Sequence, residues 1–492
     1  MPSTLTGSSA MTERESVELE PARRSRWWLW IAIPLLVILG SGLLYVVSVN
    51  SSLNRLIAET DRLDPGWQLA DIEARRTSFP PEQNAALRVT KTKGLIKQPF
   101  NQLYKDDELV SSLEPQQLLN DQQILAVKKL TAAATEAIAE GRTLIDFPHG
   151  RHAVAWSPDW ISTILKCQDN RDVVRILRLD AVDCAQRGDA DQALKSVHAA
   201  FHCGCSIGDE PMIISQLVRI ACQAVALGAL ERVLGQCEPS DSVLEAFQKR
   251  LEAEEPSPLL LFAFRGEWAG EYRLLEYMRE GNVPGGLGTP ALGGAPASIG
   301  LMSIVLRIPG VMASQTTGCI RFMNDMVELA KQPPETWNPQ LATFRQQAAG
   351  LPTLARLLVP AIDSCAQAVQ RSHAQQRCAI ALVAAERFRK KNSRWPKSLD
   401  ELTTAGLLKA VPIDPYDGKP LRLKTTADGL IIYSIGPDGN DNGGILDRAK
   451  PNKAGTDYGL QLWDVAHRRQ PAPAERKLDE NGNPLPAESP NP

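Results

Sequence analysis

The longest apolar run in the chain carries no charge and extends from Trp27 to Val49, with the sequence WWLWIAIPLLVILGSGLLYVVSV. A helix of about 23 residues is roughly 35 Å long, enough to cross a hydrocarbon core of about 30 Å. The run is apolar on every face, whereas a surface helix of a soluble domain has one polar face. The pattern therefore predicts a transmembrane helix over residues 27–49.

Charges on either side of this run predict its orientation. Arg23, Arg24 and Arg26 precede it, and the first cation after it is Arg55. Because positive charge stays on the cytoplasmic side, residues 1–26 should form a disordered cytoplasmic tail and the remainder should be exported across the inner membrane. The alternative is a cleaved signal peptide, but the run exceeds the usual apolar length of about 7–15 residues. We expect a retained single-pass anchor in contact with the lipid bilayer.

Helical periodicity dominates the chain after the span. Leu53, Leu56 and Ile57 begin a helical stalk predicted over 50–84, which Pro65-Gly66 interrupts. Residues 85–370 then form a predicted α-helical domain with a Gly- and Pro-rich loop at 281–300. That loop is also compatible with a boundary between two domains.

The clearest helical pair lies at 172–205. Two apolar faces flank a turn at Gly188-Asp189, and Ala193 follows at the position expected for the second helix. The pair resembles a single tetratricopeptide-like hairpin without a second copy at the same period, and an ordinary helical hairpin explains it equally well. Met212 to Leu234 then predicts a helix with few charges at the centre of the core.

The pattern changes to α+β near the C-terminus, over 371–466. Ala374 to Lys391 predicts a long helix, and Leu399 to Thr404 a short one with Ser398 and Glu401 as a capping box. Leu421 to Lys424 and Leu430 to Ser434 predict two strands joined by a turn at Asp428-Gly429. Residues 467–492 are predicted to be a disordered tail.

This module, at about 375–463, resembles the C-terminal domain of the major pseudopilins of type II secretion. The resemblance rests on these positions: Pro396, Ser398, Leu399, Glu401, Leu402, Pro412, Asp414, Pro415, Tyr416, Tyr433, Ser434, Gly436, Asp438 and Gly439. It implies a small α+β fold with an acidic loop that binds calcium. The Phe-Thr-Leu-Ile-Glu start of pseudopilins is missing before this domain, so assembly into a pilus does not carry over.

The acidic loop is also the best metal candidate by its own pattern. Asp438, Asn440 and Asn442, followed by Gly443, match the first half of a calcium loop, in which alternate residues direct oxygens inward. The twelfth position is Ala449 instead of Glu, so Asp447 and Asp457 are the candidates that complete the shell. The simpler interpretation is an Asn- and Gly-rich turn that holds no metal.

Two further clusters have weaker patterns. His198 and His202 share a helix face close to Cys203 and Cys205, which suggests zinc, although packing or a disulfide with another cysteine is the simpler interpretation. Asp146, His149 and His152 would suit a hydrolase, but no nucleophile can be paired with them. We interpret those three as surface-loop residues.

Composition narrows the functional classes. The chain has 492 residues and a formal net charge of −3 with interspersed signs, so no basic surface points to nucleic acid. Nine cysteines leave at least one unpaired within the chain. The sequence predicts a mainly α, membrane-anchored envelope protein that acts as a non-catalytic scaffold or interaction module with protein partners. The alternatives are a calcium-dependent binding protein for a non-protein ligand and an exported hydrolase.

Overall fold

The computed structural model describes residues 29–97, 113–280, 282, 310–351, 356 and 362–472. Within these ranges the fold is mainly helical, as predicted, with one small sheet. The helices are α1 (Leu29–Leu63), α2 (Leu69–Arg75), α3 (Ala85–Leu95), α4 (Asp121–Ala133), α5 (Thr135–Arg142), α6 (Asp169–Arg187), α7 (Ala190–Cys205), α8 (Ile213–Gln236), α9 (Asp241–Glu254), α10 (Leu259–Arg279), α11 (Val311–Ala330), α12 (Trp337–Gly350), α13 (Ile362–Asn392) and α14 (Leu399–Thr404). Short 3₁₀ turns occupy Pro81–Gln83, Thr143–Asp146, Pro334–Thr336 and Val465–His467.

Several sequence predictions fall outside the described residues. These are the N-terminal tail 1–26, the first two tryptophans of the apolar run, almost all of the loop 281–300, and the tail from residue 473 onward.

The first helix continues without a break from the apolar run into the predicted stalk. Helix α1 ends at Leu63, and a turn at Pro65-Gly66 separates it from α2, as the sequence predicted. Gly66 has a φ of +71°, a conformation that glycine adopts at little cost. The predicted stalk packs against α11 through the second half of α1 and therefore belongs to the folded body of the protein.

The predicted hairpin at 172–205 is confirmed as a pair of helices. Helix α6 ends at Gly188, whose φ of +82° gives the left-handed cap that favours glycine. Asp189 then accepts a hydrogen bond from the Gln192 amide and begins α7. Helix α8 packs on both helices and is largely buried, as predicted for Met212 to Leu234.

Strands β1 (Arg422–Thr426), β2 (Gly429–Ser434) and β3 (Tyr458–Trp463) form an antiparallel sheet in the order β1-β2-β3. The predicted hairpin of β1 and β2 is confirmed, with Leu423 opposite Ile432. Strand β3 was not predicted, and it pairs on the other side of β2 with Leu460 opposite Ile432.

The predicted capping box of α14 is not formed. Ser398 occupies the N-cap position but makes no side-chain cap hydrogen bond. Glu401 instead accepts from the Lys397 amide at 3.1 Å and pairs with Arg394 at 2.9 Å. The carboxylate of Glu401 thus binds the Lys397 amide and the Arg394 guanidinium instead of the Ser398 amide that a capping box requires.

Two large apolar cores lie side by side in the described chain. The first contains buried residues of α6, α7, α8 and α9 together with α13, α14 and the sheet. The second core contains buried residues from the C-terminal half of α1 and from α10, α11 and α12. Helix α13 crosses the expected boundary at 370–371 without interruption and packs against α8, α9, β2 and β3. The C-terminal module thus shares its core with the helical domain.

Candidate functional site

The surface of α1 changes character along its length. Apolar side chains from Trp30 to Val47 are mostly exposed, including Trp30 at 84% and Leu44 at 73% exposure. Further along, Leu53 and Thr60 are buried, and the Asn324 side-chain amide donates to Thr60 Oγ1 at 2.8 Å. Beyond the helix end, Arg265 Nε donates to Asp64 Oδ2 at 2.7 Å. The helix is therefore fixed to the folded body at one end and apolar and exposed at the other.

Two helices in the described residues are long and apolar enough to cross a membrane. They are α1, whose apolar window is 0% buried, and α8, whose window is 61% buried. Helix α8 lies between α6, α7 and α13, so core packing accounts for its composition.

The acidic loop between β2 and β3 is held together by its own hydrogen bonds. Asp438 Oδ2 accepts from the Gly455 amide at 2.8 Å and from the Asn442 side chain at 3.3 Å. Asp457 accepts from the Asn442 amide at 3.1 Å and from the Gly444 amide at 2.7 Å. The structure thus brings Asp438 and Asp457 together around Asn442.

The other two predicted ligands contribute differently. Asn440 donates its amide to Asp438 at 2.9 Å. Asp447 Oδ1 accepts from the amides of Ala449 at 3.1 Å and Lys450 at 2.8 Å, in a separate turn. Asp441, which the sequence pattern left out, accepts from the Tyr433 hydroxyl at 3.1 Å.

A calcium ion requires six to eight oxygen ligands around one point. The carboxylates of Asp438 and Asp457 already accept several amide hydrogen bonds. The carboxylate of Asp447 lies in a separate turn. Within the described ranges, no group of three or more His, Cys, Asp or Glu side chains is arranged to hold a metal ion. Calcium binding at Asp438, Asn440, Asn442, Asp447 and Asp457 stays a prediction.

The histidine and cysteine cluster on α7 does not converge on one point. His198 Nε2 lies 3.2 Å from His202 Nε2, and His202 Nδ1 lies 3.2 Å from the Phe147 carbonyl. Cys203 Sγ donates to the Asn170 carbonyl at 3.5 Å, on α6, whereas Cys205 Sγ accepts from Gln223 on α8. The two thiols therefore pack against different helices.

Burial keeps both histidines of that pair neutral. It lowers the pKa of His198 to about 4 and that of His202 to about 3. All nine cysteines of the chain are free and buried, so none of the disulfides considered from the sequence is formed.

Asp146, His149 and His152 are likewise dispersed. Asp146 and His149 are exposed, and the His149 ring stacks on Phe79 with centroids 5.8 Å apart. His152 is buried, and this burial lowers its pKa to about 4. The arrangement places no base beside a nucleophile among these three residues.

A cavity of about 410 Å³ lies where the helical body meets the acidic loop. Apolar side chains from α8, β3 and the loop line it, among them Val225, Leu227, Leu446 and Leu460. Its charged lining includes Arg178 from α6 and Arg232 from α8. Burial lowers the pKa of Arg178 to about 10, and burial together with the charge of Arg178 lowers that of Arg232 to about 10.

The sequence analysis did not identify this pair. A local signal was present, because Arg171, Arg175 and Arg178 recur at helical spacing on a helix whose other residues are mostly apolar. The partner on α8 is far away in sequence, so only the packing of the two helices brings both guanidinium groups to one cavity.

A second unpredicted group is a pair of glutamates one turn apart on α10. Glu271 is 2% exposed, and Cys319 Sγ donates to its Oε2 at 3.5 Å. Glu267 Oε2 accepts from the Ile213 amide at 3.3 Å. Burial raises the pKa of both, and the charge of Glu267 raises that of Glu271 further.

Comparisons of the whole chain with protein-family models, curated proteins and solved structures gave no match. The pseudopilin resemblance of the C-terminal module therefore depends on the motif residues themselves.

Proposed function

We propose that this chain is a single-pass membrane protein of the cell envelope whose exported body acts as a non-catalytic scaffold or interaction module. The observation that carries the proposal is helix α1, which is exposed and apolar along one part and packed into the protein along the next. Water disfavours an apolar surface of this kind, whereas a bilayer accepts it.

The dimensions of α1 support the anchor. The exposed stretch from Trp30 to Val47 is roughly 27 Å long as a helix, close to the thickness of a hydrocarbon core. Because the same helix is fixed to α11 through Thr60 and Asn324, the body is held at the membrane surface in one orientation. A rigidly oriented body suits a protein that presents a surface to partners.

The C-terminal module supports the second half of the proposal. Its helix α13 contributes to the same core as α8 and α9, so the C-terminal module is built into the larger body. The resemblance suggests a role near a secretion or pilus-like machine. In that role, the module would be presented to partners as part of a fixed surface.

Membrane anchoring is tested with two charges in the exposed apolar stretch. In the double variant Leu36→Arg with Leu39→Arg, each arginine costs about 2.5–3.5 kcal/mol of insertion free energy at the helix centre. The matched control places the same residues on the exposed body, as Leu125→Arg with Ile164→Arg. We expect carbonate washing to release the first variant from membranes and to leave the control and the wild type bound.

Topology is tested by fusing reporters to the C-terminus. Alkaline phosphatase is active only outside the cytosol, and we expect that fusion to be active and a fluorescent cytosolic reporter to be silent. The opposite pattern, or an intact chain that is freely soluble in the cytosol, contradicts the proposal.

The scaffold role is tested by cross-linking in intact cells before detergent extraction. We expect the wild type to enter a discrete heavier species that contains other proteins, and the Leu36→Arg with Leu39→Arg variant to lose it. Recovery of the anchored wild type as a free chain only would argue against a scaffold.

A further inference from the structure

The start of helix α11 lies directly against the end of the exposed apolar stretch of α1. A β-carbon added at Gly310 would lie 3.1 Å from Tyr45 Cε1 and 3.3 Å from Val46 Cγ2. Further along both helices, the Asn324 side chain donates to Thr60 Oγ1 at 2.8 Å. The two contacts are separated by the same length of each helix, roughly 21 Å, so α1 and α11 run parallel in this register. The first turn of α11 therefore lies level with the last exposed apolar residues of α1.

The end of helix α10 reaches the same level. Cys319 Sγ donates to Glu271 Oε2 at 3.5 Å, where α10 and α11 pack side by side. Met278 follows Glu271 on α10 by roughly 10 Å, and Met312 precedes Cys319 on α11 by the same length. Both methionines are buried in the second apolar core, so the two helices run antiparallel. The last turn of α10 therefore lies beside the first turn of α11.

Charged and aromatic side chains lie at this level. Arg279 and Glu280 are exposed at the end of α10. Tyr45 is 48% exposed, and tyrosine is enriched where the hydrocarbon of a bilayer meets the headgroups. Toward its N-terminus, α1 exposes mostly apolar side chains as far as Trp30. In a membrane-anchored chain, the level of Arg279 and Tyr45 thus coincides with the headgroup region.

We propose that the last turn of α10 and the first turn of α11 bind the phospholipid headgroups around the anchor, so that the body rests on the bilayer. This inference rests on the membrane anchoring of α1 proposed above. The partner is lipid because Gly310 contacts the anchor helix itself, at a level where headgroups surround that helix. The guanidinium of Arg279 donates to lipid phosphate, which matches the planar donor fork of arginine.

The contact is tested by lipid quenching of fluorescence on the full chain in phosphatidylcholine nanodiscs. All nine native cysteines are buried, so a cysteine introduced at the surface is labelled selectively with a fluorophore. We expect the label in Glu280→Cys to lose fluorescence when the lipids carry a spin label in the headgroup. The matched control Arg62→Cys is also exposed, but it lies roughly 24 Å further along α1 than Val46 and should keep its fluorescence.

A label within the anchor separates this proposal from the proposed function. In labelled Leu36→Cys, we expect quenching by a spin label carried in the acyl chains. Quenching at Leu36 without quenching at Glu280 overturns the headgroup contact and leaves the anchor intact. Absence of quenching at Leu36 overturns the anchor itself.

A charge variant tests the role of Arg279. Made in the labelled Glu280→Cys chain, Arg279→Glu turns an acid toward the lipid phosphates, and we expect headgroup quenching to fall. Arg62→Glu makes the same change in charge at an exposed residue near the far end of α1 and should leave the quenching unchanged. Equal quenching in these two variants would overturn the pairing of Arg279 with phosphate.

Discussion

Arg468 donates both terminal nitrogens to the carboxylate of Glu386, at 3.1 and 2.9 Å, and both side chains are buried. Arg468 also donates to the Trp463 and Cys237 carbonyls, each at 2.9 Å. The pair therefore joins the end of the sheet, helix α13 and the end of α8. It is a buried ion pair between the segment after the sheet and helix α13.

Removing one partner of this ion pair should destabilise the whole chain. Arg468→Ala leaves Glu386 as a buried charge with Arg389 as its one remaining partner among the described residues, and breaking a buried ion pair costs about 3–5 kcal/mol. The measurement is the free energy of unfolding in denaturant. The neighbouring Arg469→Ala, at an exposed residue that donates to the Ala185 and Gln186 carbonyls and lies beside the Cys237 thiol, should cost about 1 kcal/mol or less. Equal losses in the two variants would contradict the role of the pair.

The same pair should make stability depend on acid. Burial would raise the pKa of Glu386, but the hydrogen bonds and charges of Arg389 and Arg468 lower it overall. A carboxylate whose pKa is lowered by folding stabilises the folded chain at pH values above its pKa in the unfolded chain, which is about 4.3 for Glu. This stabilisation is lost as the pH falls. We expect melting temperatures measured between neutral and acid pH to fall less steeply in Arg468→Ala than in the wild type.

The glutamate pair on α10 should make the stability of the chain depend on pH in the opposite direction. Burial and the charge of Glu267 raise the pKa of Glu271. The contribution of Glu271 to the free energy of unfolding is therefore full below the pKa of this group in the unfolded chain, and it is lost as the pH rises. We expect Glu271→Gln to raise the melting temperature more at alkaline than at mildly acid pH. The control Glu245→Gln removes an exposed acid whose pKa is lowered by Lys249, and it should not produce this gain. A pH-independent effect of Glu271→Gln would refute the assignment.

Asp414 should be essential to the fold of the module. It is 0% exposed and accepts from the Tyr416 amide, the Ser434 hydroxyl, the Ile435 amide and Arg422. Asp414→Ala leaves these donors without their acceptor, and we expect a loss of about 3–5 kcal/mol in denaturant unfolding. Asp417→Ala removes one of the ion pairs of Arg422 and the acceptor of the exposed Lys419 amide, and it should cost about 1 kcal/mol.

The calcium prediction can be tested residue by residue. We expect millimolar calcium to raise the melting temperature of the wild type relative to chelator. Asp457→Asn should abolish the rise, because Asp457 and Asp438 share Asn442. Asp447→Asn should retain most of it, since that carboxylate lies in a separate turn. An unchanged wild-type melting curve removes calcium from the description of this protein.

Local patterns along the chain determined the elements of this fold. Helical spacing predicted the α6–α7 hairpin and the central helix α8, and Pro65-Gly66 predicted the end of α1. Asp428-Gly429 predicted the β1–β2 hairpin. These features depend on residues a few positions apart, so backbone geometry and side-chain periodicity are enough to predict them.

Tertiary structure alone decided which of those elements pack together and which side chains they bring into contact. Strand β3 has a short alternating pattern, and its pairing depends on β2. Arg178 lies near Arg232, and Glu386 binds Arg468, although the residues of each pair are far apart in the chain. Burial of a charge and the identity of its partner depend on how helices pack, which no local pattern records. The sequence by itself therefore determined the apolar helix and most of the secondary structure, while packing decided strand β3, the shared core and the arginine-lined cavity.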